Sequence, residues 1–196
     1  MSMVRRMTLL SLGAVAAAAV AYAQDTGEVV PENPGYFVLI NQLDEAEDGE
    51  YYCLDVFGST METGDGMQVH TCKDRPRPPE DQQYTADSPN LGQIQSTQHE
   101  DLCVTMHPTT LLGSQLSVRT CDAEGDDPRQ LWISDSSGQI HPQQDTSLCL
   151  TVQTGVHGQC GNPDCSNYKR GLSLETCADQ RTRYISWFIP GGSVGL

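Results

Sequence analysis

Apolar positions along the chain alternate with polar ones and do not recur at helical spacing. The clearest stretches are Met67-Gln-Val-His-Thr-Cys72, Leu116-Ser-Val-Arg-Thr-Cys121 and Leu172-Ser-Leu-Glu-Thr-Cys177. A period of two puts every other side chain on one face, so each reads as a strand with one face in a core. Each is preceded by a phrase of the same type: Tyr52-Cys-Leu-Asp-Val56, Leu102-Cys-Val-Thr-Met106 and Leu148-Cys-Leu-Thr-Val152. Their cysteines are 50 and 46 residues apart. An aromatic follows 10 to 12 residues after each second cysteine, namely Tyr84, Trp132 and Trp187. Short strands are predicted at Gly92-Gln-Ile-Gln95 and Gly138-Gln-Ile-His141, with Tyr36 to Ile40 opening the first unit. Three units of about 50 residues, each with about four short strands, fit a closed threefold all-β barrel with hairpin caps better than a two-sheet sandwich. Met67, Val69 and their equivalents then point inward, with the aromatics as core plugs.

One N-terminal stretch departs from this pattern. Arg5 and Arg6 precede an apolar run from Leu9 to Val20, and Ala21-Tyr22-Ala23 offers a small-x-small cleavage site before Gln24. Residues 1–23 therefore read as a secretory signal, too short and too interrupted, by Ser11 and Gly13, for a membrane span. Residues 24–34 follow as a linker, 35–190 as one domain with repeats near 35–88, 89–134 and 135–190, and 191–196 as a tail. The expected location is extracellular.

Export gives the eight cysteines a meaning, because an oxidising compartment turns an even number into bridges. Four pairs allow 105 connectivities. Separations of 19 for Cys53 to Cys72, 18 for Cys103 to Cys121 and 28 for Cys149 to Cys177 suggest three copies of one local bridge. In that arrangement Cys160 and Cys165 form a pair of their own within an insertion of the third unit. A zinc site from Cys160, Cys165 and His157 is disfavoured, since thiolate ligands need reducing conditions.

Charge narrows the partners. The 196 residues carry 11 Lys and Arg against 26 Asp and Glu, a net charge of −15. That excludes the basic footprint of nucleic-acid binding and argues against anionic membranes. No nucleophile elbow, HExxH helix or phosphate loop is present, so the sequence predicts no enzyme, no cofactor and no metal.

Taken together, the three-fold CLDV-like phrase, the strand-and-cysteine phrase and the Gln-x-aromatic phrase resemble the ricin B-chain type lectins, a β-trefoil family. The Gln-x-Trp signature stands at Gln130-Leu-Trp132, with Gln82-Gln-Tyr84 and Ile185-Ser-Trp187 as its counterparts. The resemblance implies a single disulfide-stapled β-trefoil that binds glycans, of galactose type or other cell-surface or polysaccharide sugars. It implies a shallow cup in which a carboxylate and an amide bind paired hydroxyls while a ring stacks on the pyranose. In the first repeat the family's positions fall on Asp55, Gln68, His70 as stacker, and the pair Asp81 and Gln82. His70 replaces the commoner Trp or Tyr, and Asp81 the usual Asn. The other units carry Thr105, Ser117 and Arg119, or Thr151, Ser173 and Glu175, and read as structural copies. The alternative is a trefoil without sugar affinity, a protease inhibitor or structural protein acting through loops such as Lys73 to Pro79 or Val156 to Gly171, the former with the basic, proline-stiffened Arg75-Pro-Arg77-Pro-Pro79.

Overall fold

The computed structural model describes residues 36–39, 51–58, 60–73, 80–86, 92–107, 112–155, 158–159 and 168–189. The expected signal and linker, Cys160 and Cys165, Arg75 to Pro79, most of the Val156 to Gly171 loop and the tail lie outside them. Among the described residues the chain is all-β with three short 3-10 turns. The strands are β1 (Val38–Leu39), β2 (Tyr52–Val56), β3 (Met67–Thr71), β4 (Tyr84–Thr85), β5 (Gln95–Ser96), β6 (Leu102–His107), β7 (Gln115–Thr120), β8 (Trp132–Ser134), β9 (Ile140–Pro142), β10 (Leu148–Val152), β11 (Gly158–Gln159), β12 (Tyr168–Thr176) and β13 (Trp187–Phe188).

Three hairpins dominate, and they share one register. Asp55 lies opposite Gln68 in β2/β3, Thr105 opposite Ser117 in β6/β7, and Thr151 opposite Ser173 in β10/β12. Each is closed by a disulfide, Cys53–Cys72, Cys103–Cys121 and Cys149–Cys177, with Cα atoms 4.9 to 5.1 Å apart. Because side chains alternate, Tyr52, Leu54, Val56, Met67 and Val69 enter the main core while Cys53, Asp55, Gln68 and His70 share the other face. The aromatics at the expected positions are buried. Trp132 Nε1 donates to Val104 O and Trp187 Nε1 to Leu150 O, each at 3.1 Å, so each indole plugs the core and satisfies a backbone carbonyl.

Hairpins also touch in sequence around the barrel. Gly64 N donates to Val118 O and Gly66 bridges Ser117, so the first turn meets β7. Leu174 N donates to Ser114 O, so the second turn meets β12. The first half of β12 closes the ring by pairing with β3, Lys169 opposite His70 and Gly171 opposite Gln68. This last contact is a true ladder, because β12 is nine residues long where β3 has five.

Two predicted strands start later than their sequence suggests. Gly92 has φ 93° and Gly138 φ 78°, conformations suited to a turn, so the ladders to β4 and β8 begin at Gln95 and Ile140, while Gln139 makes a single bridge to Ser186. Gly92 cannot be replaced cheaply, since a Cβ there would lie 3.2 Å from Trp132 O.

Candidate functional site

The cluster begins with the β2/β3 register. Asp55 and Gln68 are 13 residues apart in sequence but opposite in the ladder, which brings Gln68 Nε2 to 2.7 Å from Asp55 Oδ1. The 3-10 turn Glu80–Gln82 then lays Asp81 and Gln82 over the hairpin. Gln82 Nε2 donates to Asp55 Oδ2 at 2.9 Å, and its Oε1 accepts the Lys73 backbone N–H at 3.1 Å. Three of the five expected site residues, Asp55, Gln68 and Gln82, are thus joined directly, and His70 lies two positions along β3 on the same face.

Lys73 completes that network. Its ammonium is 2.9 Å from Asp55 Oδ2 and also pairs with Asp81 Oδ2. Sequence reasoning treated Lys73 only as the start of a loop. The sequence carries little signal for it, because Asp81 reaches Asp55 only when the Glu80–Gln82 turn folds over the hairpin.

The residues expected to line a shallow cup are buried. Asp55 and Gln82 are 0% exposed, and Gln68, His70 and Asp81 are at most 5%. The ladder from β12 flanks β3 on one side, and Lys73, with 18% of its side chain accessible, covers the carboxylates. Among the described residues, two acceptors in this buried place have no partner, Gln68 Oε1 and Asp81 Oδ1. An unpaired buried acceptor costs desolvation energy that a hydroxyl donor would recover.

Burial sets the protonation of the cluster. It raises the Asp55 carboxyl above its ordinary value, with Lys73 opposing and Asp81 reinforcing. It lowers the His70 imidazole, whose Nδ1 donates to Thr71 O at 2.8 Å. That bond fixes the neutral ring with its proton on Nδ1. Tyr84, buried beneath the turn, is pushed far above its usual range and stays a neutral phenol.

Corresponding positions in the other hairpins separate what is shared scaffold from what is particular to the first. Gln130 Oε1 accepts from Asp122 N at 2.8 Å, and its Nε2 donates to Thr105 Oγ1 at 3.1 Å and Thr120 O at 2.9 Å. Gln82 makes the same set with Lys73 N, Asp55 and Thr71 O, so this glutamine is a structural pin in both units. In the third hairpin Ser173 Oγ donates to Glu175 and Thr151 Oγ1 to Cys149 O, leaving its polar face satisfied internally. His141, Cys149 and Cys177 lie close enough to suggest a metal centre, but both sulfurs are in the disulfide and offer no thiolate.

A disulfide-stapled all-β chain with an acid and amide cluster on one hairpin face belongs to the class of small β-trefoil binding modules. More particularly, residues 45–170 match the family model of the ricin-type beta-trefoil lectin domain, and the chain belongs to that family. Among solved structures it is similar to the mdaA-1 domain, with TM-score 0.55, 16% identity, and 87% of this chain and 98% of that one covered. It is also similar to the C-half of an earthworm R-type lectin in complex with GalNAc, with TM-score 0.50, 13% identity, and coverage of 81% and 98%. A mutant of the earthworm lectin's C-terminal domain, in complex with 6'-sialyllactose, gives the same values. At these identities the likeness speaks for fold. No curated protein matches the chain.

Proposed function

We propose that the protein is exported and binds glycans through the Asp55 cluster of its first hairpin, without catalysing a reaction. The carrying observation is the pair of buried, unpartnered acceptors, Gln68 Oε1 and Asp81 Oδ1, beside a carboxylate fixed by two amides. Vicinal sugar hydroxyls are donors and acceptors at once and suit such a set. The Lys73 ammonium, the one partly exposed member bound to the carboxylates, withdraws and hydroxyls take its place against Asp55 and Asp81. His70 offers the ring. Export is supported by the N-terminal apolar run and by three disulfides, which persist in oxidising compartments.

Because binding displaces an ion pair, affinity for a monosaccharide is modest, with Kd on the order of 1 mM, about 4 kcal/mol. N-acetylgalactosamine, which the structurally similar earthworm lectin holds, is the first sugar to try, with galactose beside it. A glycan array followed by NMR titration tests the proposal. Chemical-shift changes centred on Asp55, Gln68 and Gln82 support it. A folded protein that binds no glycan on the array, and inhibits a trypsin-like protease instead, overturns it.

A further inference from the structure

The three hairpin bridges repeat one another in place, but the third has a histidine beside it. Val38 pairs with Cys53 across β1/β2, and Gln95 pairs with Cys103 across β5/β6. His141 stands 46 residues after Gln95, as Cys149 stands 46 after Cys103, so it holds the matching place in the third unit. Its Nδ1 lies 3.7 Å from Cys149 Sγ and 3.6 Å from Cys177 Sγ. Among the described residues no histidine makes such a contact with Cys53–Cys72 or Cys103–Cys121. His70 is opposite Cys53 in the ladder, but its Nδ1 donates to Thr71 O at 2.8 Å.

The ring is held from both ends. Nδ1 donates to Leu148 O at 3.0 Å, and Nε2 lies 3.6 Å from Asp135 Oδ2. Asp135 is itself anchored, its Oδ1 accepting from Ser137 N, Ser137 Oγ and Gln139 N at 2.6 to 3.0 Å. A carboxylate behind the ring stabilises the imidazolium and keeps the Nε2 proton when the one on Nδ1 is given away. Gln139 Oε1 lies 3.2 Å from Cys149 Sγ, where it can accept from a thiol. Cys149 is wholly buried and Cys177 partly exposed, so the outer sulfur is the one an incoming group reaches. The other charged groups nearest the bridge along its strands and turns are acids: Glu175, opposite Cys149 and bonded by Ser173 Oγ, Asp145 and Asp179. They disfavour a lasting thiolate, so delivery of a proton decides whether the bond opens.

We infer that Cys149–Cys177 is a thiol-exchange site, with His141 as its general acid and a small aliphatic thiol such as glutathione as the co-reactant. The thiolate attacks Cys177 Sγ and forms a new S–S bond there. The bond to Cys149 breaks, and its electron pair leaves on Cys149 Sγ, which takes the proton from His141 Nδ1. Gln139 Oε1 accepts the new S–H, solvent returns a proton to the ring, and the chain carries a mixed disulfide on Cys177. Nothing in this step involves the Asp55 cluster, so it stands or falls apart from glycan binding.

The test is to hold the native full chain with reduced glutathione, quench with N-ethylmaleimide at intervals and map the peptides. Glutathione on Cys177 and maleimide on Cys149 should appear about tenfold or more faster than either label at the other two hairpin bridges. His141→Gln should slow this exchange about tenfold or more, whereas a variant that merely loosened the fold would exchange faster. Expressed per glutathione thiolate, the rate constant should fall as pH rises in the parent, as an acid catalyst requires, and stay level in His141→Gln. An equal or faster rate at Cys53–Cys72 or Cys103–Cys121 would overturn the inference. So would glutathione on Cys149 in place of Cys177, parental or faster exchange in His141→Gln, a level pH profile in the parent, or a native chain that glutathione leaves unopened.

Discussion

The Lys73 ammonium stands 2.9 Å from Asp55 Oδ2 and makes a buried carboxylate tolerable on the polar face of the first hairpin. Asp55 has no exposure and Asp81 almost none; the one cation bridges the two acids, while two glutamine amides donate to Asp55. The pair therefore has a structural consequence and, under the proposed function, a consequence for binding.

Removing the cation should be costly. Lys73→Met leaves two buried carboxylates facing each other and should lower stability by about 3 kcal/mol, the scale for breaking one side of a buried pair. Adding Asp81→Asn should restore part of that loss. Urea unfolding of the three proteins checks both statements, and an unchanged midpoint in Lys73→Met would show that the pair contributes nothing.

Asp55→Asn separates binding from folding better than Asp55→Ala. Alanine strips buried Gln68, Gln82 and Lys73 of a shared acceptor, so it should lower the melting temperature sharply. Asparagine retains a carbonyl for one amide but loses the charge. It should reduce glycan binding at the first hairpin below detection, since a charged hydrogen bond is worth roughly 1.5 to 3 kcal/mol. Thr105→Ala and Thr151→Ala, at the equivalent register positions, should leave that binding unchanged in a calorimetric titration of folded protein.

Acid should weaken the fold in two separate windows. Burial makes the folded-state His70 take up a proton less readily than its ordinary value of 6.5 allows. The unfolded chain then binds more protons as pH falls past 6.5, so this contribution is complete above 6.5 and is lost below it. Asp122, held low first by the Asp126 backbone N–H, and Asp145, held low first by the Ser147 hydroxyl, act only below 3.8. Asp55, whose carboxyl burial raises, acts in the opposite sense, so the His70 contribution is read as a difference: between pH 7.5 and 5 the denaturant midpoint of the parent should fall relative to that of His70→Asn. Parallel curves would remove His70 as the cause.

The disulfides can be tested chemically. Non-reducing peptide mapping should recover Cys53–Cys72, Cys103–Cys121 and Cys149–Cys177, with Cys160 and Cys165 joined to each other. Replacing Cys53 and Cys72 together by serine opens a loop of sequence separation 19 and should cost about 3 kcal/mol. A fragment joining Cys160 to any of the other six would contradict the scheme.

Much of the site was legible because it is local. Asp55, Gln68 and the Cys53–Cys72 bridge belong to one hairpin, and a period of two fixes which residues share a face. The aromatic plugs were legible for the same reason, since each lies a short, repeated distance after a cysteine. The role of Gln82 as a pin was visible in its kinship with Gln130.

Accessibility was decided by the tertiary structure. Alternation within each hairpin, its cysteines and its register follow from neighbouring residues, whose geometry the chain itself dictates. Whether the polar face of a hairpin meets solvent depends on what the next hairpin places beside it. The length of β12 brings a full ladder against His70 and Gln68, while the glycine turn leaves Ser117 and Arg119 in an open pocket. Lys73 likewise acquired its role only when folding stacked the turn bearing Asp81 over Asp55. Hydrogen-bond register is a short-range property written in periodicity. Burial and charge pairing are sums over segments far apart in the chain, and only the closed barrel brings those segments together.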